Sequence, residues 1–250
     1  MPGILAIPVV AFLLLSSVVN GQSKTILRID DDIQLIHLQD SVFIHVSWHS
    51  LEGVGRFSSN GMIIIRDGKA VMIDTPTDND KTERLIHYVK HNLSAEVSLL
   101  IIGHYHDDCL GGLEFMQQQG IESIASLRTV DKCRETGLPI PSTSFQDSLL
   151  IDFHGLSLEC RFWGEGHSFD NITVWIQEKS ILFGGCLVKS IDSKNLGNLS
   201  DASVEDWDET IRRIIKKLPE TETVIPGHGS FGGPELLTHT ISLVEFHRQH

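Results

Sequence analysis

Apolar periodicity along this chain switches from two to about 3.6 and then repeats the switch, and that double change limits the fold more than any other feature. Ile33–Leu38, Val42–Ser47, Met62–Arg66 and Ala70–Ile73 read as strands, the last two joined by a turn at Asp67-Gly68. In Asp80–Asn92 the spacing becomes helical, with Leu85, Ile86 and Val89 recurring among charges. Val97–Ile102 is a continuous apolar run, the pattern of a strand buried on both faces. Helices are expected over Gly112–Gln119 and near Val130–Glu135. The second round brings strands at Leu149–Phe153, Leu156–Trp163, Ile172–Ile176 and Ile181–Gly184. Ser203-Val-Glu-Asp206 reads as a capping box opening a helix that runs to Leu218. A short strand, Thr223–Ile225, and a final helix, Pro234–Gln249, complete the chain. Two rounds of strands then helices imply a pseudo-duplicated α/β sandwich. No Pro/Ser linker or charge block divides it, so a single domain is expected.

Residues 1–21 belong to a different class. Ile4–Val19 is apolar apart from two serines, and no charge occurs before Lys24. The run is shorter than the roughly 20 residues that span a bilayer, and Pro8 interrupts it. It ends in Val19-Asn20-Gly21, so a signal peptide cleaved after Gly21 is expected. That leaves residues 22–250 as an exported, periplasmic domain without stable membrane association. The chain carries 33 Asp+Glu against 20 Lys+Arg, a formal charge of −13. Such a surface repels phosphate backbones, which argues against nucleic acid as a partner. Cys109, Cys133, Cys160 and Cys186 form no CxxC pair and are too few for a disulfide scaffold. Free or metal-bound thiols are expected.

The chemistry gathers where strands end. His104-Tyr-His106-Asp-Asp108 directly follows the apolar strand, at its C-terminal end, where open α/β sheets place their sites. Alternating imidazole and carboxylate suit zinc, which takes nitrogen, oxygen and sulfur ligands. Three further loops follow the same rule. Gly164–Asn171 carries His167, Gly184–Lys189 carries Cys186, and Pro226–Gly229 carries His228. Each group alone has a structural explanation. Together their economical reading is a two-metal site.

With these motifs the chain resembles the metallo-β-lactamase superfamily, and within it the class B β-lactamases of subclass 1. The matching motifs run from about His45 to Gly229. The resemblance implies an αββα sandwich with two zinc ions per subunit. It implies His104, His106 and His167 as ligands of the first ion, and Asp108, Cys186 and His228 as ligands of the second. Relatives that use a second-site histidine directly after the aspartate differ here, where Cys109 stands. Subclass 2 replaces the first histidine with asparagine. The implied reaction is hydrolysis of the β-lactam amide of penicillins, cephalosporins and carbapenems by a metal-bound hydroxide, with Asp108 orienting the nucleophile. Lys189 would bind the substrate carboxylate, and Asn198 would bind the lactam carbonyl as a catalytic residue. Trp48, Val54 and Phe57 would form an apolar lid. A small-molecule β-lactam is the expected partner, the expected consequence is antibiotic resistance, and a monomer is expected. Asn171 and Asn198 lie in glycosylation sequons, and a glycan there would block the site, which favours a host that does not glycosylate.

Two other readings differ in class. A hydrolase of the same fold acting on thioesters, phosphodiesters or lactones is disfavoured by Cys109, Cys186 and Lys189. A non-catalytic zinc-binding or redox-sensing protein is disfavoured by an open three-histidine site, because structural zinc sites fill all four positions with protein ligands.

Overall fold

The computed structural model describes residues 25–51, 53 and 55–250. The expected signal peptide and Val54 lie outside the described residues. The first sheet has eight strands in chain order: β1 (Ile26–Arg28), β2 (Ile33–Gln39), β3 (Val42–Leu51), β4 (Gly55–Arg66), β5 (Lys69–Ile73), β6 (Glu96–Ile101), β7 (Glu122–Ser126) and β8 (Thr143–Phe145). Pairing is antiparallel through β5 and parallel from β5 to β8. The parallel strands are connected through α1 (Asn79–Asn92), then α2 (Asp107–Leu110) and α3 (Leu113–Gln118), then α4 (Leu127–Thr136). The second sheet contains β9 (Ser148–Phe153), β10 (Leu156–Arg161), β11 (Thr173–Ile176), β12 (Ile181–Gly185) and β13 (Thr223–Pro226), with spatial order 13-12-11-10-9. Two helices, α5 (Val204–Lys217) and α6 (Glu235–Gln249), complete it.

Period two places the core. Val42, Ile44, Met62, Ile64, Val71 and Ile73 point from the first sheet towards Leu158, Val174, Phe183 and Ile225 of the second. Their alternates Ile63, Ala70 and Met72 turn outward onto Leu85 and Val89 of α1. Leu182 and Val224 of the second sheet pack on Trp207, Ile211, Ile241 and Val244 of α5 and α6. Three apolar layers between helix, sheet, sheet and helix make an αββα sandwich, as expected.

Several boundaries differ from the sequence reading. The segment from Trp48 to Asn60, taken to lie between strands, is the far end of the β3–β4 hairpin, with Trp48 opposite Ser58 and His49 opposite Phe57. Strands β1, β7 and β8 had no expectation; β7 and β8 carry only five and three residues. Ser203 is the N-cap of α5, but its hydroxyl donates to the Asp206 carboxylate at 2.6 Å and no backbone amide is capped by the side chain. The capping box is therefore not formed. All four cysteines are free and buried.

Candidate metal centre

The parallel strands β5 and β6 end together, and their loops meet the loops of the second sheet at one rim. Gly103 donates its amide to the buried Asp74 carboxylate at 2.6 Å, and its carbonyl accepts from the Ile172 amide at 2.9 Å. That second bond joins the His104 loop to the segment before β11. His104 follows on a buried loop residue, His106 is the N-cap of α2, and Asp108 stands in the single turn of that helix. The sequence reading of this motif as pure loop is thus corrected for Asp108.

Three imidazoles converge here. His104 Nε2 lies 2.8 Å from His106 Nδ1, which lies 3.2 Å from His167 Nε2. Outer contacts fix the tautomers. His106 Nε2 lies 3.1 Å from the Asp201 carboxylate, and His104 Nδ1 lies 3.0 Å from the Cys109 thiol. With protons on those outward nitrogens, the inward nitrogens present lone pairs to one another. Burial drives the His104 pKa down to about 3 and that of His167 well below its usual value, so neither ring gains a proton near neutrality. Lone pairs facing one another this closely fit a cation. His167 Nδ1 is buried and has no hydrogen-bond partner.

The second group has oxygen, sulfur and nitrogen donors. His228 Nε2 lies 3.1 Å from Asp108 Oδ2, and Cys186 Sγ lies 3.5 Å from the same oxygen and 3.4 Å from His228 Nε2. A hydrogen bond from Cys109 holds the Cys186 pKa down to about 6. Burial opposes ionisation of Asp108, but the hydrogen bond with His228 and the positive charge of that ring outweigh it and place its pKa below the carboxylate range. Burial likewise opposes charge on His228, yet Cys186 and Asp108 raise its pKa well above that of free imidazole. Two anionic groups around one imidazole form a charge pattern that a divalent cation neutralises. Cys109 Sγ also lies within 4.8 Å of ligand atoms of His104, Asp108 and Cys186. It also contacts the buried Asp74 side chain, so it links His104 to a carboxyl group behind the site.

Chain segments far apart position His228. Its Nδ1–H donates to the Ser58 carbonyl at 2.8 Å, and Asn60 Nδ2 donates to the carbonyls of Pro226 and Gly229, each at 2.9 Å. At Gly227 an added Cβ would stand 2.4 Å from Cys186 Sγ, so only glycine allows the two ligand loops to touch. No local pattern marks Ser58, Asn60, Asp74 or Asp201 for these tasks. The one available cue for Asp201 is its place in the same short loop as Asn198.

Above both groups lies a cleft of about 1550 Å³, with Trp48, Phe57, Lys189 and Asn198 in its walls. Lys189 is 9% exposed, and its ammonium stands 5.2 Å from the Trp207 ring centroid. Among the described residues no carboxylate pairs with it. Burial lowers its pKa, while Cys186 and Asp108 act in the opposite direction. Asn198 is exposed, and its Oδ1 accepts from the Ser200 amide at 3.1 Å, leaving its NH2 group uncommitted. Half-buried Phe57 lies 6.1 Å from the His228 ring, and the Arg56 guanidinium lies 5.7 Å from Trp48. Asn171, read as a sequon, is 2% exposed and bonds Ser168 and Gly164, a structural role that no glycan could share.

The model of the metallo-β-lactamase superfamily matches residues 54–228. The chain belongs to the metallo-β-lactamase superfamily. It is 42% identical over 217 residues to a metallo-β-lactamase type 2 of Bacteroides fragilis, covering 87% of each chain. A metallo-β-lactamase type 2 of Bacillus cereus is 32% identical over 224 residues, 90% of this chain and 87% of that one. Among solved structures, a metallo-β-lactamase from Pontibacter korlensis has a TM-score of 0.82 at 36% identity, covering 85% of this chain and 99% of that one. This metallo-β-lactamase chain is an enzyme with its family's fold and dependence on metal, typically zinc, and its donor set suits that metal. Among the described residues no helix is long and apolar enough to cross a membrane.

Proposed function

We propose that the chain hydrolyses the amide bond of β-lactams, penicillins, cephalosporins and carbapenems included, and so confers resistance to them. The observation that carries this is the juxtaposition of the three inward-facing imidazole nitrogens, the Asp108–Cys186–His228 group and the buried Lys189 ammonium around one cleft. His104, His106 and His167 would hold one zinc ion, and Asp108, Cys186 and His228 a second. Zinc bound there supplies a Lewis acid and a water ionisable near neutral pH.

The chain's own residues select and position the substrate. A bicyclic β-lactam carries a carboxylate at a fixed distance from its scissile bond, and Lys189 is the buried cation that can receive it. The uncommitted NH2 of Asn198 donates to the lactam carbonyl, where negative charge grows as the amide opens. Asp108 accepts a hydrogen bond from the nucleophile and orients it. Trp48 and Phe57 cover the apolar part of the ligand and exclude water. Export after cleavage near Gly21, a periplasmic location and a monomeric state complete the reading.

Hydrolysis of a chromogenic cephalosporin tests it. Activity should vanish on exhaustive chelation, return with added zinc and resist clavulanate, which acylates serine enzymes. Full turnover by the metal-free protein would overturn the reading.

A further inference from the structure

The sandwich leaves one imidazole of the cleft without a task. His49 projects from β3 opposite Phe57 and meets that ring edge-on at a centroid distance of 3.9 Å. Phe57 in turn lies 6.1 Å from His228, so His49 forms the hairpin wall of the cleft beside the second donor group. Its Nδ1 is buried with no hydrogen-bond partner, and among the described residues nothing pairs with Nε2. An N–H buried without an acceptor costs more than one facing water, so the proton belongs on Nε2, on the cleft side. The other lid residues, Trp48 and Phe57, offer no side-chain donor at this wall except the indole N–H.

We infer that His49 is a specificity-determining residue whose Nε2–H donates to the carbonyl of an acylamino substituent on the substrate. The inference rests on the β-lactam reading. Penicillins and cephalosporins carry such an amide next to the scissile bond, on the side of the nucleus away from the ring carboxylate. Lys189 and His49 both line this cleft, so a substrate whose carboxylate meets Lys189 can turn its acylamino arm towards β3 and β4. Carbapenems have no acylamino group and gain nothing from this donor.

Benzylpenicillin and 6-aminopenicillanic acid share one nucleus and differ in the acyl group, so they isolate the contact. One neutral hydrogen bond is worth roughly two- to tenfold in affinity. His49→Ala should therefore raise KM for benzylpenicillin by about that factor, with kcat and zinc content near those of the parent enzyme. KM for 6-aminopenicillanic acid should stay unchanged, which also shows that the variant is folded. His49→Gln, which keeps an N–H donor, should recover most of the loss. Equal KM changes on both substrates, or none on benzylpenicillin, would overturn the assignment while leaving β-lactam hydrolysis intact. A parent enzyme that hydrolyses neither compound would instead sink the β-lactam reading, and this inference with it.

Discussion

On the proposed reading, Lys189 separates substrate recognition from metal chemistry. Many acyl compounds would meet the metal ligands equally well, but only those with a suitably placed anion meet the lysine. A hydrogen bond to a charged group contributes roughly 1.5–3 kcal/mol. Lys189→Ala should accordingly raise KM about tenfold or more, with kcat less affected and zinc content preserved. Steady-state rates on a free-acid cephalosporin and its ester check this, because the penalty should shrink on the ester. His45 offers a second test at the same scale, remote from substrate. Its Nε2–H donates to the Asp74 carbonyl at 3.0 Å, and burial drives its pKa down to about 4. The unfolded chain binds a proton at His45 below about pH 6.5, whereas the folded ring refuses it until about pH 4. Its contribution to stability is therefore complete above about pH 6.5 and is lost as pH falls towards 4. In the chelated protein, His45→Gln should flatten the urea-stability profile between pH 7 and 4.5 by roughly 2–3 kcal/mol. Parallel profiles would remove His45 from the acid response.

At the scale of elements, the loop between β12 and α5 does two jobs at once. It carries Asn198 at the cleft and Asp201, whose carboxylate sits 3.1 Å from His106 Nε2 and also accepts from the Ser200 hydroxyl at 2.9 Å. Removing a carboxylate that orients a ligating imidazole typically weakens metal binding about 10–100-fold. Asp201→Asn should do so for zinc, measured by competition with a chromophoric chelator, while the circular dichroism spectrum stays unchanged. An unaltered zinc affinity would show that the loop serves substrate alone. The hairpin β3–β4 acts similarly. It presents Trp48, His49 and Phe57 to the cleft, and its Ser58 carbonyl and Asn60 amide hold the His228 loop. Its far end is tied down by Arg56, which donates to the Asp31 carbonyl at 2.6 Å and the Asp32 carboxylate at 3.0 Å.

For the whole molecule, the donors divide between the halves. His104, His106 and Asp108 follow a strand of the first sheet, whereas His167, Cys186 and His228 come from loops of the second. A cation shared by both halves binds the folded state and not the unfolded chain, and at a thousandfold excess over Kd it adds about 4 kcal/mol. For a domain of this size that amounts to a rise in Tm on the order of 10 °C. Scanning calorimetry with and without a chelator should show a shift of this kind, reversed by zinc. A midpoint indifferent to metal would mean that the sandwich holds the site rigid without help.

Local pattern in the chain carries the order of layers and marks the side chains proposed as metal donors. Period-two and period-3.6 runs are local properties of neighbouring residues, and ligand-bearing glycine loops after strands can be read without knowing what lies across the molecule. Short strands such as Thr143–Phe145 escaped because three residues carry no period, and the capping box failed because Ser203 found a nearer partner in Asp206. Which groups support those side chains is set by how the two sheets meet. Ser58 reaches His228 across 170 residues, and Asp201 reaches His106 across 95. No local pattern announces that the Cys109 thiol faces His104 at 3.0 Å and contacts Asp74. Such contacts depend on how two sheets pack, a sum of many apolar contacts that no single segment encodes.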